Sequence, residues 1–295
     1  MVDCATYDLN MRSKHMLHYD EEEVSRQDMQ HYIMSGSKRA NTLNIWDAQR
    51  HRMHGNFSAP VEEALEEGIK VLDIGCGCGR WTLDMALHYP ASQFVGIDID
   101  NSAFPGIDVP SNCIFIKANI LEGLPFNNGE FDFVFQRFMA LVYTPENWST
   151  AVREMVRVTK PGGWVEMFEQ AVNLERPPPN TAVWSAALSL VKNRGIDVDQ
   201  VWEIGNLLKD NNMTDIEMDH VACPLGWGGR VAEYHAENVY QVYMSMEPLL
   251  APMMRIDSEE YELLATMFVT GFTESRTWHK APRFLHIVQV EFCFR

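Results

Sequence analysis

The sequence predicts an α/β fold with a doubly wound, mostly parallel sheet of seven strands. Two observations carry this prediction. An apolar run is followed by a glycine-rich loop and then by a helical pattern, and four further apolar runs alternate with helical or turn segments over about 100 residues. Strands that alternate with helices form a parallel sheet, because the crossover helices cover both of its faces.

The first strand is predicted at 71–74, where an apolar, β-branched run contains the acid Asp73. Glycine then takes every second position, at Gly75, Gly77 and Gly79. Glycine lacks a Cβ atom, so it permits a sharp backbone turn and the close approach of a ligand. From Arg80 onward the apolar spacing is helical. Strand, glycine loop and helix form the first unit of a nucleotide-binding fold.

The loop has the spacing G-x-G-x-G, whereas a dinucleotide fingerprint requires G-x-G-x-x-G before the helix. This loop suits S-adenosylmethionine (SAM), which has no pyrophosphate but carries an ammonium group that Asp73 could reach through water or backbone. A second predicted strand, 94–98, ends in Asp98, which follows Gly75 by 23 residues. That separation is close to the ~20 residues expected for a carboxylate that accepts the ribose hydroxyls.

Three more strands complete the parallel part of the prediction. They are expected at 114–120, with the amide of Asn119 near its end, at 131–135, and at 164–169. Gln136 and Arg137 follow the fourth strand, where its carboxyl end should open on the cleft. A helix is expected over 148–158, with Lys-Pro-Gly-Gly at 160–163 ending it.

The chain is predicted to comprise an N-terminal helical arm, 1–60, and a SAM-binding domain, 61–295. The domain carries helical insertions at about 180–212 and 230–280. Within them the apolar spacing predicts helices over 184–188, 201–208, 231–246 and 258–278. Strands at 216–223 and 284–294 are expected to form a hairpin that supplies the reversed edge strand.

In order and spacing, the segments VLDIGCGCGRW, GIDID, ANILEGLPF, FDFVFQRF and VTKPGGWVEMFE resemble a class I SAM-dependent methyltransferase. The N-terminal stretch HMLHYDEEEVSRQDMQHYI and the segment NFSAPV bring the resemblance closest to the fungal LaeA-like methyltransferases. The resemblance covers nearly the whole chain. It implies the class I fold, SAM as the cofactor, and a role in fungal secondary metabolism.

The resemblance also implies a set of cofactor contacts. Asp73 and the three loop glycines would line the methionine end of SAM, Asp98 would bind the ribose, and Asn119 and Ile120 would hold the adenine. The predicted cofactor-binding residues are Arg26, Gln30, Asp73, Gly75, Cys76, Gly77, Gly79, Asp98, Ile99, Asn119, Ile120, Gln136 and Arg137.

The catalytic candidates are His15, His18 and Tyr143. The family usually has Tyr and Pro where this chain has the two histidines, and a base is needed only if the acceptor atom must lose a proton. Tyr143 follows the fourth strand, where packing in an aromatic core is the alternative role. The chain also has Asn119 where Asp is commoner in the family, and the amide still offers an acceptor to the adenine amine.

Composition limits the function further. The net charge of −17 argues against nucleic acid, since no basic stripe exists to neutralise phosphates. No signal segment and no run of about 18 apolar residues is present, so a membrane role is not expected. The six scattered cysteines suit reduced thiols in the cytoplasm or the nucleus. No spacing of ligands predicts a metal site.

The sequence therefore predicts an enzyme that moves a methyl group from SAM to an O, N or S atom of a small organic molecule. Three alternatives stay open. They are a regulatory SAM-binding protein that acts in a complex with a protein partner, a methyltransferase fold reused for a non-methylating reaction, and a dinucleotide oxidoreductase. The last is disfavoured by the G-x-G-x-G loop.

Overall fold

The computed structural model describes residues 21–35 and 56–288. The strands are β1 Lys70–Ile74, β2 Gln93–Asp98, β3 Cys113–Lys117, β4 Phe131–Arg137, β5 Thr159–Phe168, β6 Leu174–Glu175, β7 Met213–Pro224 and β8 Trp278–Val288. The helices are α1 Glu21–Ser35, α2 Glu62–Glu67, α3 Arg80–His88, α4 Pro145–Val158, α5 Ala182–Asn193, α6 Ile204–Asp210, α7 Arg230–Ser245, α8 Glu247–Met254 and α9 Ser258–Ser275.

These strands form one sheet in the order β3-β2-β1-β4-β5-β8-β6, with β7 on the other edge of β8. β1 to β5 are mutually parallel, and β8 runs antiparallel to β5, β6 and β7. The predicted doubly wound, mostly parallel sheet is confirmed. The described residues give it eight strands rather than seven, because the two-residue β6 also pairs with β8.

Two predicted strand boundaries were wrong. The third strand ends at Lys117 instead of Ile120, because the Asn119 side chain accepts the backbone N–H of Leu121 and starts a 3₁₀ turn. The last strand begins at Trp278, six residues before the predicted start, because it pairs with β7 from Pro224 onward. The predicted positions 289–294 of that strand lie outside the described residues.

The helices follow the predicted pattern with shifted ends. α9 ends at Ser275, where Arg276 takes a left-handed conformation, so the predicted extension to 278 was wrong. The segment predicted as one helix over 231–246 continues, after Met246, into α8. α4 ends at Val158, and the Lys-Pro-Gly-Gly segment lies in the irregular first part of β5 rather than in the cap.

Three buried clusters account for most of the packing. One lies between the sheet and α4, around Trp148, and another lies on the opposite face around Trp81, whose ring stacks on Phe135 at 4.1 Å. The third belongs to the helices α5, α7, α8 and α9 and contains Phe268 and Phe272. The inserted helices therefore have a core of their own beside the sheet. None of the described helices is both long enough and apolar enough to cross a membrane.

At Gly79, in the loop after β1, both the backbone conformation and the surrounding space favour glycine. It has φ +74°, and an added Cβ atom would lie 2.4 Å from the Phe115 ring; Gly162 has φ +79° but open space around it. We expect Gly162→Ala to lower the free energy of unfolding by about 1 kcal/mol, through backbone strain alone. Gly79→Ala should lower it by about 2–4 kcal/mol, since the clash with Phe115 adds to the strain.

Urea unfolding of the two variants without added ligand measures the difference. Equal losses for both would show that the loop can move away from Phe115 at little cost.

Candidate functional site

A cavity of about 320 Å³ opens at the carboxyl ends of β1, β2 and β4. The strand order reverses at β1, whose two neighbours are β2 and β4. Such a switch point is where open α/β sheets bind ligands, because the loops diverge there and leave a crevice. The loop after β1 forms one wall of the cavity, and residues of α1 and α7 face it.

The glycine loop after β1 depends on backbone conformations that favour glycine. Gly75, Gly77 and Gly79 have φ of 68°, 55° and 74°, a region that other residues rarely adopt. A Cβ atom on Gly75 would also lie 2.9 Å from the Met139 sulfur. The N–H of Cys76 donates to the carbonyl of Ile97 at 2.9 Å, which holds the loop against β2. Gly75, Cys76 and Gly77 all lie on the cavity wall.

Asp98 connects this loop to the end of β2. One carboxylate oxygen accepts the N–H of Gly77 at 2.9 Å, and the other accepts the N–H of Asp100 at 3.0 Å. The side chain is buried and lines the cavity. Its negative charge therefore stands at the wall, in an orientation that the backbone determines.

Three of the predicted cofactor residues do not line the cavity: Asp73, Gly79 and Gln136. The buried Asp73 accepts the hydroxyl of Thr82 at 2.6 Å, and its burial raises its pKa to about 6. Gly79 begins α3 under Phe115. Gln136 is fully buried in β4, where alternation places it on the opposite face from Arg137.

The remaining predicted cofactor residues all reach the cavity. Ile99, Asn119 and Ile120 lie beside Asp98 and form an apolar slot with one amide. That amide is already occupied, since Asn119 accepts the N–H of Leu121 and donates to Glu122 at 2.7 Å. Asn119 therefore shapes the wall through its turn more than through a free polar group.

Helix α1 contributes Arg26 and Gln30 to the wall of the cavity. The Arg26 guanidinium donates twice to Glu23, at 2.7 Å each, and once to Gln30 at 3.0 Å. The Asn238 side chain, on α7, donates to the Arg26 carbonyl at 3.0 Å. Polar contacts thus join the helix that precedes the sheet to a helix inserted between β7 and β8.

His31 attaches α1 to the sheet, a role that the sequence did not reveal. Its Nε2 lies 3.0 Å from a carboxylate oxygen of Asp84, and its Nδ1 lies 3.1 Å from Nη1 of Arg137. Arginine can only donate, so Nδ1 accepts and the ring proton is on Nε2. Burial lowers the pKa of His31 to about 4, so the ring is neutral. The partners come from α3 and β4, and therefore no local pattern distinguishes this histidine.

Arg137 brings a positive charge to the same wall. Its burial lowers the pKa of the guanidinium, while Asp73 and Asp84 raise it. An arginine remains charged under such conditions. Its guanidinium donates to the neutral His31, and no carboxylate of the described residues forms an ion pair with it. This end of the cavity can therefore take an anionic group from a ligand.

The other half of the cavity, which we call the acceptor chamber, is mostly apolar. It is lined by Met139, Leu141, Val142, Leu174, Trp184, Ala187, Val191, Val239, Val242, Met246, Phe268 and Phe272 and by the polar residues Tyr143, Gln170, Asn238, Tyr243 and His279. The inserted helices supply much of this wall. Sequence reasoning missed His279, since only the pairing of β8 with β6 and β7 brings it to the cavity.

The structure describes one of the three catalytic candidates. Tyr143 lines the acceptor chamber, its hydroxyl donates to Gln136 at 3.4 Å, and burial raises its pKa far above its ordinary value. It keeps its proton at neutral pH and cannot act as a base. His15 and His18 lie outside the described residues. In the part of the chain that the structure describes, no three His, Cys, Asp or Glu side chains cluster to hold a metal ion.

Comparison with known proteins places the site in context. Residues 71–163 match a family described as a methyltransferase domain. The chain is 25% identical to methyltransferase str3 of Strobilurus tenacellus over 57% of this chain and 60% of that protein. It is 26% identical to N-methyltransferase verN of Clonostachys rogersoniana over 91% and 90%. A secondary metabolism regulator of Cochliobolus heterostrophus is 28% identical over 54% and 46%.

Among solved structures, the fold is similar to a phosphoethanolamine N-methyltransferase 2 of Haemonchus contortus in complex with S-adenosylmethionine. The TM-score is 0.52 at 16% identity, and the match covers 96% of this chain and 60% of that one. The likeness shows that the two chains share a fold.

The buried His31 predicts a specific dependence of stability on pH. Its folded pKa of about 4 lies below the unfolded 6.5, so its contribution is full above pH 6.5 and is lost as the pH falls toward 4. From pH 8 to pH 5 this loss amounts to about 2 kcal/mol. The stability advantage of the wild type over His31→Gln should narrow by that amount.

Chemical unfolding at several pH values gives the two free energies. Asp73 and Glu169, whose pKa values burial raises to about 6 and about 8, act in the opposite sense but cancel in the difference. His220→Gln, at an exposed position of β7, is the matched control for the loss of an imidazole outside the bridge. A pH-independent difference between the wild type and His31→Gln would contradict the neutral bridge.

Proposed function

We propose that this chain, whose residues 71–163 form a SAM-dependent methyltransferase domain, moves a methyl group from SAM to an O, N or S atom of a small organic molecule. One observation carries the proposal. A continuous cavity joins the glycine loop, Asp98 and Arg137 to an apolar chamber beyond them. The role in fungal secondary metabolism is supported by the similarity to the secondary metabolism regulator of Cochliobolus heterostrophus.

The glycine loop, Asp98 and Arg137 lie in the other half of the cavity, which we call the cofactor half. Its residues fit the chemical groups of SAM one by one. The methionine carboxylate would pair with Arg137, and the backbone of Gly75 to Gly77 would lie along the methionine chain. Asp98 would accept the two ribose hydroxyls, which carry protons that a carboxylate binds well. The adenine would enter the apolar slot of Ile99 and Ile120.

SAM supplies a methyl group on a sulfonium, which is already activated toward a nucleophile. The protein has to hold the acceptor atom in line and keep water out. The apolar chamber supports both tasks, because its walls hold a ring system in place and leave little for water to bind. If a hydroxyl is methylated, His15 and His18 stay the predicted proton acceptors, since Tyr143 keeps its own proton.

The N-terminal arm, 1–60, is proposed as a lid over the cofactor, and the insertions at about 180–212 and 230–280 as the acceptor side. The support is that Arg26 and Gln30 of α1 line the cavity, while α5 and α7 line the acceptor chamber. The bonds of Arg26 and Asn238 join the two parts. The four free thiols of the described residues support the cytoplasm or the nucleus as the compartment.

A second candidate function is a regulatory role in complex with a protein partner. It is favoured by the similarity to the secondary metabolism regulator of Cochliobolus heterostrophus. A stable partner together with an absence of turnover on any small acceptor would favour this role over metabolic methylation.

Asp98 provides the test of the proposed function. We expect the purified protein to bind SAM and to transfer its labelled methyl group to a member of a panel of small acceptors. Asp98→Ala should weaken SAM binding about 10- to 100-fold, through the loss of charge-assisted hydrogen bonds. Calorimetry and a radiolabel assay provide the two measurements.

Asp100→Ala is the matched control, since Asp100 lies two residues along the same loop but does not line the cavity. Its affinity for SAM should stay within about threefold of the wild type, inside the range of ordinary surface substitutions. Unchanged SAM affinity in Asp98→Ala would refute the ribose assignment, and a wild-type protein without SAM affinity would refute the function.

Arg137 can be tested with two ligands that differ in the carboxylate. S-adenosylhomocysteine (SAH) carries the amino acid end, and 5′-methylthioadenosine lacks it. Arg137→Met should weaken SAH binding about 10- to 100-fold, because it removes a buried ion pair, and should change methylthioadenosine binding less than about threefold.

Calorimetry with both ligands makes the comparison. Arg80→Met, which removes another cavity-lining arginine that is already paired with Asp28, is the control for general loosening of α1. Equal losses for both ligands in Arg137→Met would mean that the residue acts on structure and not on the carboxylate.

A further inference from the structure

We infer that the acceptor chamber selects an uncharged, apolar ring system that carries a hydrogen-bond-accepting oxygen, and that the side chain of His279 binds this oxygen. The inference rests on the proposed methyl transfer, because it assigns a substrate class to the same cavity. It comes from three features of the chamber: its missing charges, the protonation of His279 and the unpartnered N–H groups.

The lining residues of the chamber include no aspartate, glutamate, lysine or arginine among the described residues. The charged side chains on the cavity wall, Arg26, Arg80, Asp98 and Arg137, all belong to the cofactor half. Transfer of an unpaired ion into such surroundings costs several kcal/mol, so a charged acceptor would have to leave its ionic group outside. Flat ring systems suit walls that contain Trp184 and Phe268.

His279 lies at the start of β8, in register with Leu174 of β6 and Cys223 of β7. The residue is only 1% exposed. Its Nδ1 is 3.4 Å from Nε2 of Gln170, a nitrogen that can only donate. Nδ1 therefore accepts, and the proton of the neutral ring is on Nε2.

The environment keeps the ring in that form. Burial lowers the pKa of His279 well below its ordinary value, and the neighbouring His235, at 4.6 Å between ring centroids, lowers it further. Burial also lowers the pKa of His235, to about 4, so both rings are neutral. His279, which lines the chamber, thus carries an N–H donor and not a positive charge.

This donor has no partner among the described residues, and neither has the indole N–H of Trp184 on the same cavity. A buried donor without a partner is costly, and a ligand that satisfies it gains the corresponding free energy on binding. Both groups donate. A ligand with a carbonyl or a similar oxygen is therefore matched to the chamber, and we assign that oxygen to the His279 donor, which a hydrocarbon leaves without a partner.

Three naphthalenes of similar size separate these requirements. 2-Acetylnaphthalene has an accepting oxygen, 2-ethylnaphthalene has none, and 2-naphthoate carries a charge. Fluorescence titration of the SAH-loaded protein should show about tenfold tighter binding of the ketone than of the hydrocarbon, the effect of one neutral hydrogen bond. The carboxylate should bind more weakly than the ketone, since the chamber has no counter-charge.

Variants assign the donor. His279→Phe keeps a ring but loses the N–H, so the ketone and the hydrocarbon should bind equally. His279→Gln places an amide N–H near the original Nε2 and should keep the preference.

Gln170→Met removes the donor that holds the proton on Nε2, so the preference should fall even if His279→Phe does not fold. Trp184→Phe is the matched control and should weaken both ligands alike.

Several results would overturn the inference. These are equal binding of the ketone and the hydrocarbon by the wild type, an undiminished preference in folded His279→Phe, loss of the preference in Trp184→Phe alone, or naphthoate binding as tight as that of the ketone. Calorimetry with SAH is done first. If SAH does not bind, the proposed function fails, and the same titrations without SAH still test the chamber.

Discussion

A neutral imidazole between a carboxylate and a guanidinium holds the cofactor half of this molecule together. His31 reaches from α1 to Asp84 on α3 and to Arg137 on β4, so one side chain connects three elements that are far apart in sequence. The ring must stay uncharged to accept from Arg137, and burial ensures that it does. Without this bridge, α1 would lose its polar attachment to β4, and the cavity would lose part of one wall.

The neutral state of His31 also determines what Arg137 can bind. A neutral partner orients the guanidinium without neutralising it, so its charge remains available at the cavity wall. The opposite arrangement holds for Arg26, which Glu23 already neutralises through two hydrogen bonds. Two arginines on one cavity therefore differ in role: one closes the wall between α1 and α7, and the other can receive an anionic group.

The two halves of the cavity differ in charge. Ions and backbone dipoles are concentrated around the glycine loop, where a ligand with several polar groups can be bound at each of them. The acceptor chamber contains apolar side chains and a few neutral polar groups. In such surroundings the shape of the chamber positions a reacting atom. An N–H group without a partner costs more free energy there than in water, because water cannot replace the missing partner.

The sequence by itself determined the parallel strands, the glycine loop and the acid at the end of β2. These features are local, since strand period, turn conformation and spacing are encoded in neighbouring residues. The tertiary structure alone decided which polar side chains meet. It placed Asp73 and Gln136 behind the wall and brought His31 and His279 to their partners, because strand pairing and helix docking join residues that no spacing along the chain relates. It also decided where β3 ends and β8 begins, since a side-chain turn and the pairing with β7 outweighed the apolar pattern.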